Sequence, residues 1–182
     1  MGLSMRRRDL CGFALLSVVP PLGAQGLSSP MPGVQPAHPL NGIPQGQGAG
    51  VHSPLSPFKP LPERLDVVPW SALTNIEKRI VNRRVQPVFP QRLVALHQNL
   101  VRVQGFMMPL EPGQAQRRFL LTSVPLTCSF CTPGGAESMV EVIARDPVKY
   151  TTNALVMQGR LHVLTQDPTG LFYRMSDAMP VR

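Results

Sequence analysis

Alternating apolar and polar residues, interrupted by glycine, run through the second half of this 182-residue chain. Apolar and polar side chains alternate in residues 100–104, Gly105 breaks the pattern, and a second apolar run follows in residues 106–110. Residues 154–164 repeat the arrangement around Gly159. Alternation is the pattern of a half-buried β-strand, and a glycine inside a strand is typical of a bulge or a sharp bend. This pattern therefore predicts short strands that bend at their glycines.

Three further apolar runs complete a set of about five strands, at residues 119–124, 139–144 and 171–175. Turn sequences rich in proline and glycine separate them at residues 111–113 and 167–170. Strands that bend at glycines are how small barrels turn their corners. We therefore predict a mainly β fold, a small OB-like antiparallel barrel.

A short amphipathic helix is predicted at the start of the domain. Pro69 suits the first turn of a helix, and apolar residues recur from Trp70 at helical spacing as far as Arg84. The charged residues within this stretch are then expected to form a solvated face; they are Glu77, Lys78, Arg79, Arg83 and Arg84.

The first 64 residues divide into a leader and a linker. Residues 1–24 have paired arginines, a modest apolar run and a terminal alanine, which is the layout of an export signal of the twin-arginine kind, with a Sec signal as the alternative. We therefore predict a periplasmic protein. Residues 25–64 are dominated by Pro, Gly, Ser and Gln and predict a disordered linker, in which His38 and His52 are expected to be solvated. The remaining residues, 65–182, form the predicted β domain.

The charge of the chain favours acidic partners. Without the three arginines and one aspartate of the leader, the chain keeps 15 basic and 9 acidic side chains, a net charge of about +6. Anionic lipid head groups and acidic protein surfaces fit that balance, and Arg117, Arg118 and Arg174 are candidates for a basic surface. No nucleic-acid partner is expected, because the protein is exported and aromatic stacking residues are sparse.

Conventional catalytic motifs are missing from the sequence. There is no P-loop, no Gly-x-Ser-x-Gly elbow and no haem attachment site. The acidic residues are few and scattered, so no carboxylate pair for acid–base chemistry is indicated. The sequence therefore favours a protein that is not an enzyme.

The two cysteines of the predicted domain, Cys128 and Cys131, lie three residues apart. Such a pair either closes as a disulfide or binds one soft metal ion. Zinc prefers four nitrogen or sulfur ligands, whereas copper(I) accepts two thiolates, with or without a thioether. Candidates for additional ligands are His97, Met107 and His162.

A thiol–disulfide oxidoreductase is the third alternative and the least favoured. The attacking cysteine of such enzymes lies at a helix N-terminus, which stabilises its thiolate. Here Pro133, Gly134 and Gly135 follow the pair, and consecutive glycines disfavour a helix. Metal binding and a structural disulfide therefore remain equally open.

Four sequence blocks, in order and spacing, resemble the DUF3299 family of exported bacterial proteins of unknown function. They are residues 101–110, 119–121, 128–135 and 170–178. The resemblance covers essentially the whole predicted domain and implies no activity. It implies, as partners, ABC-type transport or metal-uptake systems.

Together these observations lead to one functional expectation. We expect an exported, non-enzymatic accessory protein whose Cys128/Cys131 loop binds zinc or copper, or a partner in a transport system, with peripheral contact to the membrane. The alternative is a periplasmic interaction or assembly domain in which the same two residues form a structural disulfide.

Overall fold

The structure, a computed structural model, describes residues 48–181, so the predicted export signal and residues 25–47 of the predicted linker lie outside it. The elements in chain order are α1 (Trp70–Thr74), β1 (Glu77–Val81), β2 (Arg84–Val88), α2 (Gln91–Val94), β3 (Leu100–Pro109), β4 (Ala115–Thr122), a 3-10 turn (Ala136–Ser138), β5 (Met139–Lys149), β6 (Leu155–Val163) and β7 (Tyr173–Val181). No helix in this part of the chain combines the length and apolar character needed to cross a membrane.

Strands β3 to β7 form a closed barrel in the order β3-β4-β5-β7-β6, and β6 pairs with β3 to close it. This confirms the predicted mainly β, OB-like barrel. One detail differs from the prediction, because β5 and β7 are parallel while the other neighbours are antiparallel. Strand directions can alternate all the way around a ring only when the number of strands is even. Five strands therefore require at least one parallel pair.

The two glycines that interrupt the alternating pattern lie where the sheet changes partner or register. Strand β3 pairs with β6 up to Gly105 and with β4 from Phe106 onward. A Cβ atom at Gly105 would lie 2.7 Å from the carbonyl oxygen of Thr122. At Gly159, where the register between β6 and β7 shifts, a Cβ atom would lie 2.6 Å from Cγ of Met175. The bends therefore need glycine because neighbouring chain segments approach so closely.

The barrel interior is apolar and is joined to α1 by one buried hydroxyl. Fully buried side chains fill it, among them Phe119, Leu121, Met157 and Leu161. The hydroxyl of Tyr173 donates a 2.6 Å hydrogen bond to the carbonyl oxygen of Leu73 in α1. Burial, and then the charge of Glu137, raise the pKa of Tyr173 above its usual range, so this group remains a neutral donor.

The predicted helix extends only as far as Thr74, and the remainder of the predicted stretch is a β-hairpin. Strands β1 and β2 pair with Ile80 opposite Val85, and the turn residues Asn82 and Arg83 both have positive φ, 50° and 61°. Two-residue hairpin turns of type I′ require positive φ at both central positions. Neighbouring β-branched residues such as Ile80 and Val81 favour a strand over a helix. The helical interpretation of residues 77–84 was therefore wrong.

Replacing Gly159 with alanine tests whether the bend in β6 depends on the absence of a side chain. The added methyl group meets Met175 and also the carbonyl oxygen of Ser176, 2.8 Å away. We expect Gly159→Ala to lower the free energy of unfolding by about 1–3 kcal/mol, measured by urea denaturation. The exposed Thr152→Ala is the control and should change it by less than about 0.5 kcal/mol. Equal stability of the two variants would contradict the steric explanation.

Candidate functional site

Cys128 and Cys131 are joined in a disulfide, with 5.4 Å between their Cα atoms. They lie in the loop that connects β4 to the 3-10 turn, where the amide of Cys131 donates a 3.3 Å hydrogen bond to the carbonyl oxygen of Cys128. Cys128 is buried and Cys131 is half-buried, whereas Phe130 between them is 58 % exposed. The two bonded sulfurs therefore hold a tight turn that presents Phe130 to solvent.

Residues 48–58, which we call the strap, pack directly on this loop. Val51 and Thr132 exchange backbone hydrogen bonds of 2.8 and 2.9 Å. The hydroxyl of Ser56 lies 3.3 Å from Sγ of Cys128, and the ring of His52 stacks at 6.5 Å on Phe106. The strap belongs to the stretch predicted as a linker, and this part of it rests on the barrel. The expectation that His52 is solvated was wrong, while the domain boundary drawn after residue 64 stays a prediction.

The glycines that follow the cysteines allow the strap to approach so closely. A Cβ atom at Gly134 would collide with the carbonyl oxygen of Gly48 and the side chain of Ser138. Gly50 has φ +75°, and a Cβ atom there would lie 2.6 Å from the carbonyl oxygen of Thr132. Glycine-rich sequence on both sides of the contact is therefore a packing requirement of the strap and the loop.

A buried carboxylate fastens the strap at the end of this loop. Glu137 is 2 % exposed, and its Oε1 accepts hydrogen bonds of 2.7 Å from Nζ of Lys78 and from the backbone amide of Gly48. This single side chain thus connects β1, the 3-10 turn and the strap. In the sequence Glu137 is one of a few scattered acids, and Lys78 is predicted on a solvated face. The available signal was an isolated acid two residues after the glycine pair Gly134–Gly135.

A second buried carboxylate, Glu141, accounts for two arginines of the predicted basic surface. It is 1 % exposed and pairs with Nη2 of Arg118 at 2.6 Å and with Nε of Arg174 at 2.5 Å. Arg174 also contacts Asp167 at 3.2 Å. Burial acts to raise the pKa of Asp167, but hydrogen bonds from Thr169 and Leu171 and the charge of Arg174 together outweigh it and hold that pKa below its ordinary value. The cluster pairs two cations with two anions, so it is not a basic binding patch.

The three residues predicted as additional metal ligands make contacts elsewhere. Nδ1 of His97 accepts a 3.1 Å hydrogen bond from the amide of Val163, and Nε2 of His162 lies 2.8 Å from Oγ of Ser176. The two imidazole rings meet edge to face at 5.9 Å. Burial, followed by the nearby His97, lowers the pKa of His162. Met107 is buried in the barrel core.

The structure thus brings His97 and His162 together, but these contacts include neither cysteine. Within residues 48–181, no group of three or more His, Cys, Asp or Glu side chains is arranged to hold a metal ion. Metal binding by Cys128 and Cys131 with these ligands stays a prediction.

Three exposed apolar side chains lie on the strap and on the cysteine loop, and we call them the disulfide patch. They are Val51, Leu55 and Phe130, at 63 %, 73 % and 58 % exposure. Val51 bonds to Thr132, Leu55 precedes Ser56, and Phe130 lies between the cysteines. Residues 123–136 carry no charged side chain. Exposed apolar side chains mark partner-binding surfaces when they form a contiguous patch, so this surface is a candidate for such a site.

Comparisons with known proteins give a distant structural likeness. No protein-family model matches the chain, and no curated protein matches it. Among solved structures, the crystal structure of a DUF3299 family protein from Pseudomonas aeruginosa PAO1 is similar, with 18 % identity and a TM-score of 0.38. The similarity covers 53 % of this chain and 68 % of that one. So low a score carries no argument about function.

Removing the disulfide tests whether it holds the loop against the strap. We expect the double variant Cys128→Ser/Cys131→Ser to lose up to about 2 kcal/mol of stability, because the bond closes a short loop. Hydrogen exchange at the amides of Val51 and Thr132 should accelerate by about 5–30-fold, which corresponds to one or two kcal/mol. Ser129→Ala, in the same turn, is the matched control. Unchanged exchange at both amides would show that the strap is held independently of the sulfurs.

Proposed function

We propose that this chain is an exported, non-enzymatic interaction module related to the DUF3299 family, and that the disulfide patch binds a partner protein in the periplasm. The observation that carries the proposal is that Phe130 is exposed between the bonded cysteines, on a loop against which the strap with its exposed Val51 and Leu55 packs. A disulfide holds the turn in one conformation, so little conformational entropy is lost when a partner binds. An exposed aromatic side chain on such a turn is well suited to be an anchor.

The bonded sulfurs favour this function over metal binding. Metal ions bind thiolates, and neither sulfur is a thiolate in the disulfide. A metal site would need the bond to be reduced and additional ligands to move. Met107 would have to leave the core, and His97 would have to give up its hydrogen bond from Val163. Zinc or copper binding therefore remains the alternative for the reduced chain.

The disulfide also suits the compartment that the leader predicts. The periplasm is oxidising, and disulfides persist there. The four sequence blocks that resemble the DUF3299 family support an association with an ABC-type transport or metal-uptake system as the source of the partner. The thiol–disulfide oxidoreductase alternative is the least favoured, because Cys128 is buried and the loop continues into glycines rather than a helix.

Thiol and metal contents, measured on the same sample, separate the structural disulfide from the metal site. The full chain is produced with its own leader and purified from the periplasm without reductant or chelator. We expect no free thiol at Cys128 or Cys131, a mass lower by the two hydrogens lost on oxidation, and zinc and copper far below one ion per chain. Stoichiometric metal with both thiols protected would instead establish the metal-binding alternative.

Site-specific crosslinking tests the disulfide patch as the binding surface. A photoreactive amino acid at Phe130 should give a discrete adduct with one protein in cells of the native host. The same photoreactive amino acid at the exposed Tyr150 should give at least about tenfold less adduct. Tyr150 follows the end of β5 that pairs with the start of β4, whereas Phe130 follows the opposite end of β4.

The crosslinking experiment has two further outcomes that decide the proposal. In the Cys128→Ser/Cys131→Ser background the adduct at Phe130 should weaken, because the turn is no longer fixed. Equal adducts at the two positions, or none at Phe130, would contradict a partner-binding patch at the disulfide.

A further inference from the structure

A cleft of about 560 Å³ opens on the barrel surface, apart from the disulfide patch. Its walls are residues 65–69, helix α2 and the first residues of β3. The apolar interior of the cleft is lined by Leu93, Leu96 and Val101. At its edge the side chains of Leu65 and Leu100 are largely exposed, Leu100 at 68 %. Clefts of roughly 300–1,000 Å³ with apolar walls are the usual sites for small molecules. The cleft shares no residue with the disulfide patch.

The segment that forms one wall is fixed in place by the barrel. The backbone amide of Val68 donates a 2.8 Å hydrogen bond to the carbonyl oxygen of Arg102 on β3, and the indole of Trp70 donates one of 2.8 Å to Gln104. Leu93 of α2 is 1 % exposed and belongs to the main core. The cleft is therefore built from elements that the core already orders, so a ligand would not have to form it.

The charged side chains lining the cleft are two arginines and one aspartate. Arg102 donates through Nε to Gln158 at 2.8 Å and through Nη1 to Asp66 at 2.9 Å. Hydrogen bonds from Arg64, and then from Arg102, hold the pKa of Asp66 well below its usual range, so this carboxylate remains ionised. Arg92 makes no ion pair within residues 48–181. An apolar cleft with a net positive lining results.

We propose that this cleft binds a single-chain anionic amphiphile, an aliphatic carboxylate of medium chain length. The alkyl chain lies against the half-buried Leu96 and Val101 and covers the exposed Leu100. The carboxylate pairs with Arg92. Charge complementarity selects an anion, because a cation would meet two arginines that Asp66 only partly offsets. A neutral chain of the same length would leave Arg92 without a partner.

The ligand is dissolved and single-chained rather than part of a membrane. Each methylene group that leaves water contributes favourably to binding, so a chain of medium length is enough for measurable binding. A lipid with two acyl chains has more apolar surface than the apolar interior of this one cleft can cover. We expect a dissociation constant on the order of 10 µM for such a ligand, in keeping with the ligand efficiencies of small molecules.

Calorimetric titration of the full chain with sodium dodecanoate, below its micelle concentration, tests the proposal. Dodecanoate should bind with one site per chain, and dodecyltrimethylammonium, with the same chain length and the opposite charge, should bind at least about tenfold more weakly. Arg92→Gln and Leu100→Ser should each weaken dodecanoate binding by about tenfold. Arg92→Lys keeps the charge and should bind within about threefold of the unaltered chain.

Two control variants and a measurement of stability show whether a loss of dodecanoate binding comes from the cleft. Arg145→Gln removes an exposed arginine on β5, and Ile80→Ser removes an exposed apolar side chain on β1; both should leave dodecanoate affinity unchanged. Arg92 and Leu100 are exposed, so their variants should unfold at the same urea concentration as the unaltered chain.

Three results would overturn the proposal. Equal affinity for the cationic amphiphile would remove the role of charge. Dodecanoate binding that survives both Arg92→Gln and Leu100→Ser would place the ligand elsewhere on the protein. Binding to phosphatidylglycerol vesicles without binding to dissolved dodecanoate would make this face a membrane contact instead. None of these results bears on the disulfide patch, which the crosslinking experiment tests separately.

Discussion

Closure of a five-strand ring is the constraint on which the rest of this structure depends. It requires a parallel neighbour pair, and it makes β3 change partners at Gly105, where no side chain fits. Closure also fixes where the loops emerge. The end of β4 lies beside the start of β5, because Thr122 pairs with Met139, so the loop carrying Cys128 and Cys131 leaves and re-enters the barrel at one place. That loop is therefore anchored at both ends by buried strands.

Two buried carboxylates attach the outer segments to this barrel. Glu137 holds the strap and β1, and Glu141 holds Arg118 and, through Arg174, the loop at Asp167. The arginines and the lysine are partly exposed, so each keeps some hydration while satisfying an acid that has almost none. Ion pairs of this kind add little net stability, yet the loss of one partner is costly because it leaves a buried charge unmatched. They therefore fix the arrangement of the loops more than they stabilise the fold.

Much of the barrel could be predicted from the sequence, and much of the site could not. The alternation around Gly105 and Gly159 predicted bent strands, because burial on one face imposes a period of two on any strand. The same method failed in residues 77–84, where few apolar residues fitted a helix and a hairpin equally well. It also missed the strap, which contacts Thr132 and the Glu137 side chain through its own backbone atoms, so these contacts leave no pattern in the side chains of the strap.

By itself the sequence determined that the chain forms a small curled β domain and that two cysteines lie within reach of each other. These are local properties, set by alternation, by glycine and by a spacing of three residues. Only the tertiary structure decided that the sulfurs bond to each other, that His97 meets His162, and that Arg92 faces an apolar cleft. The last two depend on segments that are far apart in the sequence and that closure of the barrel brings together. Local sequence patterns therefore cannot predict them.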